Sequence, residues 1–281
     1  MIYSADLHLH STYSDGTFTP TEVVEKATQL GFSTISLTDH DTIEGLPEAI
    51  DAAQRIGLEL IPGVELSVDQ DKMEVHILGY FIHWEDASFF KALKDLEAKR
   101  IDRLQEMLRR LARLGLHLKS EDVMAQNCCG TVGRVHVAQA LVQKGMLPSV
   151  GEAFRLYLGN GRPAYVEKVG ITLEGAIELI IKAGGIPVMA HPGLTGTEKV
   201  IPRLAKIGLR GVEAFHPAHS PDVSASLIRL TNRLGLLITG GSDCHGLAKE
   251  EVLIGKVKLE KKYVDLLKKE KGTKKGDGSL F

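Results

Sequence analysis

The residues best suited to chemistry in this sequence are histidines and carboxylates that lie at the ends of short apolar runs. His8 and His10 close the first run, and Asp243 and His245 follow the last one at the same spacing. Alternation along a strand places residues i and i+2 on the same face, so each pair can bind one ion. Nine groups within or after these runs are candidate metal ligands: His8, His10, Asp15, His40, Glu65, His76, His191, Asp243 and His245.

These ligand types predict both the metal and the reaction. Imidazole and carboxylate without thiolate suit Mn, Fe or Zn better than Ca, Mg or an iron–sulfur cluster. Nine ligands are too many for one ion and enough for two or three, with Glu65 as the expected bridge. Neighbouring divalent ions activate a water and stabilise both the attacking and the leaving oxygen of a displacement. The pattern therefore predicts a metal-dependent hydrolase, most of all one acting at phosphorus.

The elements that must position these groups alternate between strands and helices. Apolar runs typical of strands lie at 4–9, 34–37, 58–61, 75–80, 186–190, 211–214 and 236–239. Amphipathic stretches lie between them at 20–30, 47–56, 173–183, 200–207 and 222–233. This alternation predicts mainly parallel strands with crossover helices, in an α/β barrel or a doubly wound sheet. The carboxyl ends of such strands share one edge, where binding sites form, so the nine groups are expected to converge there.

The middle of the chain interrupts this alternation with helices alone. Apolar positions from about 88 to 114 predict one long amphipathic helix, and further helical patterns follow at 133–144 and 150–158. We therefore divide the chain into a first barrel part (1–99), a helical insertion (100–165), a second barrel part (166–267) and a tail (268–281). The tail carries five lysines and three glycines and is predicted to be a flexible, solvated end.

Composition argues against several classes of protein. The 281 residues carry a formal net charge of −2, which argues against binding long nucleic acid through a basic face. No apolar run approaches the roughly 20 residues that span a bilayer, and the N-terminus lacks the features of a signal peptide, so no membrane association is expected. The three cysteines, Cys128, Cys129 and Cys244, form neither a disulfide framework nor a CxxC site, which favours a reducing, cytoplasmic location.

Several short motifs resemble those of the PHP (polymerase and histidinol phosphatase) family. They are D-L-H-L-H-S at 6–11 followed by S-D-G at 14–16, T-D-H-D at 38–41, G-V-E at 63–65, A-H-P-G at 190–193 and G-S-D-C-H at 241–245. The resemblance spans nearly the whole chain apart from the tail. It implies a distorted (β/α)7 barrel whose metal cluster lies at the C-terminal ends of the strands.

The resemblance also implies how the nine ligands divide among three ion sites. The implied sets are His8, His10, Glu65 and Asp243; Glu65, His76 and His191; and Asp15, His40 and His245. No motif position has lost its ligand. The resemblance therefore implies an active metal centre holding two to three divalent ions.

The insertion resembles one branch of the family, which contains RNase AM and 3′,5′-nucleotide bisphosphate phosphatases. The similarity lies in G-R-V-H at 133–136, Phe154–Leu158 and G-R-P-A-Y-V at 161–166, although Val135 stands where the branch commonly has proline. The implied activity is hydrolysis of 3′,5′-bisphosphate nucleotides such as pAp and of short 5′-phosphorylated oligoribonucleotides. Alternatives are a histidinol phosphatase, an amidohydrolase, and a non-catalytic module of the kind retained in polymerases.

Other residues are candidates for contacts to a small phosphorylated substrate. Arg134 can bind phosphate oxygens through both arms of its guanidinium, or it is an ordinary arginine on a helix surface. Arg162, in the turn that follows, is a second phosphate-binding candidate. His216 and His219 follow the run 211–214, and one of them, His216 first, is expected to protonate the leaving oxygen or donate to phosphate.

Two carboxylates near the candidate ligands are expected to have a supporting role. Asp6 and Asp39 would accept hydrogen bonds from ligand imidazoles and so fix which ring nitrogen faces the metal. Cys244 alternates away from its two neighbours and is expected to be a small buried residue. Cys128 and Cys129 are assigned to the core of the insertion.

Overall fold

The computed structural model describes residues 4–70, 73–126, 133–167, 170–248 and 251–276. They form two compact units: Met1–Phe90 together with Ile171–Phe281, and Lys91–Gly170. The second unit contains the whole of the predicted insertion, 100–165, with a few residues on either side. Cys128 and Cys129 lie outside the described residues.

Eight strands of the first unit form a single sheet that nearly closes into a barrel. The strands are β1 (Ser4–Leu9), β2 (Thr34–Leu37), β3 (Glu59–Gln70), β4 (Met73–Tyr80), β5 (Ile186–Met189), β6 (Gly211–Phe215), β7 (Leu237–Gly240) and β8 (Leu259–Glu260). Their order in the sheet is β7-β6-β5-β4-β3-β2-β1-β8. A bridge between Leu9 and Cys244 brings the segment after β7 against the end of β1. The distorted (β/α)7 barrel is confirmed.

The strand β4 departs from the predicted parallel arrangement. It is antiparallel to both of its neighbours, β3 and β5, whereas β1–β2, β2–β3, β5–β6 and β6–β7 are parallel. β3 also continues past Gly63 to Gln70, so Glu65 lies inside a strand and not in the loop after one. Because β4 runs in the opposite direction, its first half lies at the edge where the parallel strands end. His76 is thereby paired with Ser67 of β3, close to Glu65.

Helices connect the strands and form the middle of the chain. They are α1 (Pro20–Gln29), α2 (Leu46–Ile56), α3 (Ala87–Arg113), α4 (Ser120–Met124), α5 (Arg134–Gln143), α6 (Val150–Ala153), α7 (Leu173–Lys182), α8 (Pro192–Thr195), α9 (Ile201–Lys206), α10 (Pro221–Arg233) and α11 (Lys261–Gly276). α1 begins with a capping box, in which Glu22 N–H donates to Thr19 Oγ1 (3.2 Å) and Thr19 N–H donates to Glu22 Oε2 (2.8 Å). Of the helices described, none is long and apolar enough to cross a membrane.

The second unit contains only helices and turns among the residues described. Most of α3 lies in it, with α4, α5, α6 and a π-helical turn at Phe154–Leu158. Its core consists of buried apolar side chains that include Leu104, Leu111, Val137 and Leu141. The unit therefore has a hydrophobic core of its own, as an independent insertion requires.

The prediction of a flexible tail at 268–281 is wrong for residues 268–276, because α11 continues to Gly276. Lys268 binds Glu59 of β3, with Nζ 2.6 Å from Oε1. Lys271 Nζ donates to the carbonyl oxygens of Phe81 (3.0 Å) and Gly184 (2.6 Å). Two lysines that look like solvated charges in the sequence thus attach the last helix to the barrel. Residues 277–281 lie outside the described part of the chain.

Replacing Lys271 with alanine is expected to lower the free energy of unfolding by about 1–2 kcal/mol, because a charged donor to two partly buried carbonyls is lost. Urea unfolding followed by circular dichroism measures the change. Lys261→Ala is the matched control, since Lys261 forms an exposed pair with Asp265 on the same helix. Such a pair contributes less than about 0.5 kcal/mol. Equal stability of the two variants would contradict the anchoring role of Lys271.

Candidate metal centre

The side chain of Glu65 lies at the centre of the predicted ligand cluster. It is fully buried on β3. Five imidazole nitrogens from four strands and their ends surround its two oxygens. The distances to Oε2 are 3.0 Å from His8 Nε2, 3.2 Å from His10 Nε2 and 3.2 Å from His40 Nδ1, and those to Oε1 are 3.0 Å from His76 Nδ1 and 3.2 Å from His191 Nε2.

Three groups of side chains could each hold an ion, because the ligand atoms within each group lie within 4.8 Å of one another. The groups overlap in their members. They are His8, His10, Glu65 and Asp243; His10, Asp15, His40 and His245; and His40, Glu65 and His76. The first group has the same members as one of the sets that the resemblance implies. The second group consists of another implied set, Asp15, His40 and His245, together with His10. The structure therefore brings together all nine residues, with His191 joining them through its contact with Glu65.

This arrangement fits bound cations better than hydrogen bonds alone. A carboxylate has about four lone-pair sites, fewer than the five imidazole nitrogens around Glu65. The rings also crowd one another, with centroids 4.2 Å apart for His10 and His245 and 4.6 Å apart for His10 and His40. Divalent cations accept electron pairs from imidazole and carboxylate alike, so the donor set suits them.

Burial and charge act in opposite directions on the pKa values of the cluster. Burial alone would raise the pKa of Glu65, but the imidazoles around it hold that pKa well below its ordinary value. Burial lowers the pKa of His10, yet hydrogen bonds with Asp243 and Glu65 raise it to about 9. For His40 burial prevails and lowers the pKa to about 4. Glu65 is thus ionised at neutral pH, the form that binds a cation.

The side chain of Glu213, which the sequence analysis missed, orients two of the candidate ligands. It is fully buried on β6. His8 Nδ1 lies 3.0 Å from Glu213 Oε1, and the backbone N–H of His191 donates to Oε2 at 2.9 Å. An Nδ1–H donated to Glu213 leaves His8 Nε2 as the nitrogen that faces the cluster. The available signal was a lone carboxylate inside an otherwise apolar strand, G-V-E-A-F at 211–215.

The roles predicted for Asp6 and Asp39 need correction. Among the described residues, neither carboxylate hydrogen-bonds an imidazole ring. Asp6 accepts from the backbone N–H of Ser242 at 2.8 Å, and Asp39 accepts from that of Ser11 at 2.7 Å. Asp39 also accepts from the Ser14 hydroxyl, whose oxygen lies 3.4 Å from His10 Nδ1. Both aspartates thus hold the backbone of ligand-bearing segments, and Asp39 reaches an imidazole only through Ser14.

Two candidate ligands have an unusual backbone conformation. His191 has φ of 25° and Asp243 has φ of 51°, values that residues other than glycine rarely adopt. Residues held in such conformations cluster at functional sites, where the surrounding structure maintains them. Backbone contacts support this geometry here, because Asp243 N–H donates to His8 O at 2.9 Å.

The close approach of Gly241 to His8 predicts a sensitive position. A Cβ at Gly241 would lie 2.3 Å from His8 Cβ, so Gly241→Ala is expected to displace one of the two backbones. Overpacking of this kind costs about 1–3 kcal/mol of stability, and here it also shifts a candidate ligand. Gly272→Ala is the control, since nothing lies within 4 Å of its Cβ position. Thermal unfolding and bound-metal analysis of both variants test this, and wild-type metal content in Gly241→Ala would contradict it.

The two histidines after β6 have opposite tautomers. His216 Nδ1 accepts from Ala218 N–H at 3.1 Å, so its proton is assigned to Nε2, which lies 3.5 Å from Asp243 Oδ2. His219 Nδ1 donates to the carbonyl oxygen of Ala214 at 3.1 Å, which leaves Nε2 without a proton. His216 therefore presents an N–H towards the cluster, as a proton donor must, and His219 does not.

In the second unit, Arg134 is held in place by its neighbours. Its guanidinium donates to Asn160 Oδ1 at 2.9 Å and lies 5.3 Å from the ring centroid of Tyr165. Arg162 is exposed in the turn that follows the π-helical turn. His136 Nδ1 accepts from Gly133 N–H at 3.0 Å and so caps the start of α5.

Cys244, in the first unit, is buried as a free thiol, as the sequence predicts.

Comparisons with known proteins cover most of the chain. A PHP domain model matches residues 6–185. The chain is 36% identical to the 3′,5′-nucleoside bisphosphate phosphatase of Chromobacterium violaceum, over 85% of this chain and 86% of that protein. It is 36% identical to a 5′-3′ exoribonuclease of Haemophilus influenzae, over 85% of this chain and 89% of that protein. A solved Bifidobacterium adolescentis structure, assigned as a metal-dependent phosphoesterase, is similar with a TM-score of 0.79 and 30% identity, over 94% and 95% of the two chains.

Proposed function

This chain belongs to the PHP domain family, and from that premise we propose that it is a metal-dependent phosphoesterase of small nucleotides. Its proposed substrates are 3′,5′-bisphosphate nucleotides such as pAp and short 5′-phosphorylated oligoribonucleotides. The observation that carries the proposal is the set of three overlapping ligand groups, two of which share Glu65. Relatives that match over 85% of the chain and are named as a bisphosphate phosphatase and an exoribonuclease support it.

The proposed cofactor is two to three divalent ions of Mn, Fe or Zn. The nine clustered residues would hold them, with Glu65 as the bridging ligand. Bound ions of this kind supply an activated water and neutralise charge on the phosphoryl oxygens. Glu213 fixes the ring of His8 through Nδ1, and Asp39 fixes that of His10 through Ser14.

The remaining steps belong to side chains of this chain. We propose that His216 holds a proton on Nε2 for the leaving oxygen, because its Nδ1 is already occupied by the N–H of Ala218. Arg134 and Arg162 are proposed to bind substrate phosphate, the first pre-oriented by Asn160.

We also propose that the protein is located in the cytoplasm, since its sequence has no disulfide framework.

The test is a substrate comparison on one sample of the manganese-reconstituted protein whose bound metal has been measured. Adenosine 3′,5′-bisphosphate and a 5′-phosphorylated oligoribonucleotide are expected to be hydrolysed faster than histidinol phosphate. Preference for histidinol phosphate would replace the nucleotide assignment by a histidinol phosphatase. A protein that binds no metal and hydrolyses none of the three would overturn the enzymatic proposal as a whole.

A further inference from the structure

A cavity of about 340 Å³ lies in the first unit beside β8, one of the two end strands of the sheet. Its walls come from the end of β6, from α10, from the segment that leads into β8 and from α11. This volume is within the range of about 300–1,000 Å³ that is typical of small-molecule sites. None of the nine candidate metal ligands lines it.

We call this cavity beside the end strand β8 the seam cavity. One of its walls is aromatic. The rings of Phe215 and Tyr263 have centroids 5.5 Å apart and are tilted by 55°. Both pack against the buried core of the barrel, which fixes their positions. Gly240 lies close behind, since a Cβ there would be 2.6 Å from that of Phe215. A fixed aromatic surface of this kind suits stacking with a planar ring.

When paired charges are counted as neutral, the side chains that line the seam cavity carry a net positive charge. Lys256 Nζ lies 2.5 Å from Glu251 Oε1, and Glu260 is paired with Lys262 at 2.9 Å. Lys258 is exposed, and it has no ion-pair partner in the described ranges of the chain. The uncompensated charge in the lining is therefore that of Lys258, which favours an anionic ligand.

The ring of His216 connects the seam cavity to the candidate metal centre. It lines the cavity, while its Nε2 lies 3.5 Å from Asp243 Oδ2 and its ring centroid lies 5.6 Å from that of His191. A ligand in the cavity would thus be separated from the cluster by one side chain.

We propose that the seam cavity binds a nucleotide unit adjoining the phosphate that is hydrolysed. Its base lies against Phe215 and Tyr263, and its phosphate lies near Lys258. The inference rests on the proposed function for the identity of the ligand, but it requires binding and not hydrolysis. It makes the protein prefer substrates with a base and an additional phosphate over simple phosphomonoesters.

The experiment measures binding of adenosine 5′-monophosphate by titration calorimetry to the full chain in the presence of a chelator, so that hydrolysis cannot contribute. Lys258→Glu is expected to weaken binding at least about tenfold, since it reverses the charge that meets the phosphate. The matched control is Lys261→Glu, which makes the same charge change at an exposed residue outside the cavity and is expected to bind like the wild type.

A second variant tests the aromatic wall. Tyr263→Leu keeps the residue apolar and removes the ring, and it is expected to weaken binding of the nucleotide several-fold while leaving binding of inorganic phosphate unchanged. Wild-type affinity in Lys258→Glu, or no binding by the wild type, would overturn the inference. Failure of the proposed function is seen separately, as Lys258-dependent binding by a protein whose manganese-reconstituted form hydrolyses no phosphoester.

Discussion

The variant Glu65→Gln is expected to lower kcat/KM for phosphoester hydrolysis by roughly 10³-fold or more, since the proposed shared metal ligand would support several kcal/mol of transition-state stabilisation. The carboxylate lies within 3.2 Å of five imidazole nitrogens and belongs to two of the three ligand groups. Glutamine has nearly the same size, but it removes the negative charge and turns an NH2 donor towards the imidazoles. Elemental analysis and steady-state kinetics on the same sample measure the effect.

The control for this variant lies on the same strand. Glu59→Gln removes a carboxylate that binds Lys268 at 2.6 Å, at the opposite end of β3 from the cluster. It is expected to keep the metal content and turnover of the wild type. If Glu65→Gln also kept both, Glu65 would not be a bridging ligand and the cluster would have to be reassigned.

The second large effect is expected for Glu213→Gln, at a residue that is not itself in any ligand group. The two oxygens of Glu213 accept from two donors, His8 Nδ1–H and the backbone N–H of His191. Glutamine offers one oxygen and one NH2 group, so one of these donors must face another donor. Loss of such a partner typically costs 10–100-fold in metal affinity or activity, and we expect about that loss here.

The readout for Glu213→Gln is the manganese concentration that gives half-maximal activity, measured beside the unfolding temperature of the chelated protein. A purely structural defect would lower the unfolding temperature and leave the manganese dependence unchanged. The orienting role predicts a shift in manganese dependence towards higher concentration. An unshifted dependence would therefore reject that role, whatever the stability of the variant.

Much of the barrel could be predicted from local patterns. The period of apolar residues located most strands and helices, and Thr19 with Glu22 located the start of α1. The direction of β4 could not be predicted in this way, because alternation reports which face a side chain occupies and not which way the chain runs. The same limit applies to the long β3, where Pro62 and Gly63 look like the end of a strand although pairing with β4 continues to Gln70.

The candidate ligands could be predicted from the sequence more completely than the residues that hold them and the barrel in place. Its ligands stand out because histidine and carboxylate pairs at strand ends have few other uses. Glu213 does not stand out, since a single carboxylate in a strand acquires its role only when the fold brings His8 to within 3.0 Å of it. Lys268 and Lys271 are similar cases, because their partners Glu59, Phe81 and Gly184 are distant in sequence.

The discontinuity of the first unit has a consequence for the order of events during synthesis. Lys91–Gly170 interrupts that unit, so the candidate ligands emerge from the ribosome in two batches. The early batch is His8, His10, Asp15, His40, Glu65 and His76, and the late batch is His191, Asp243 and His245. Unfolded chains with free histidines already bind metals, so the early batch can capture ions before its partners exist. The candidate metal centre therefore cannot be completed until the whole of the helical unit has been synthesised.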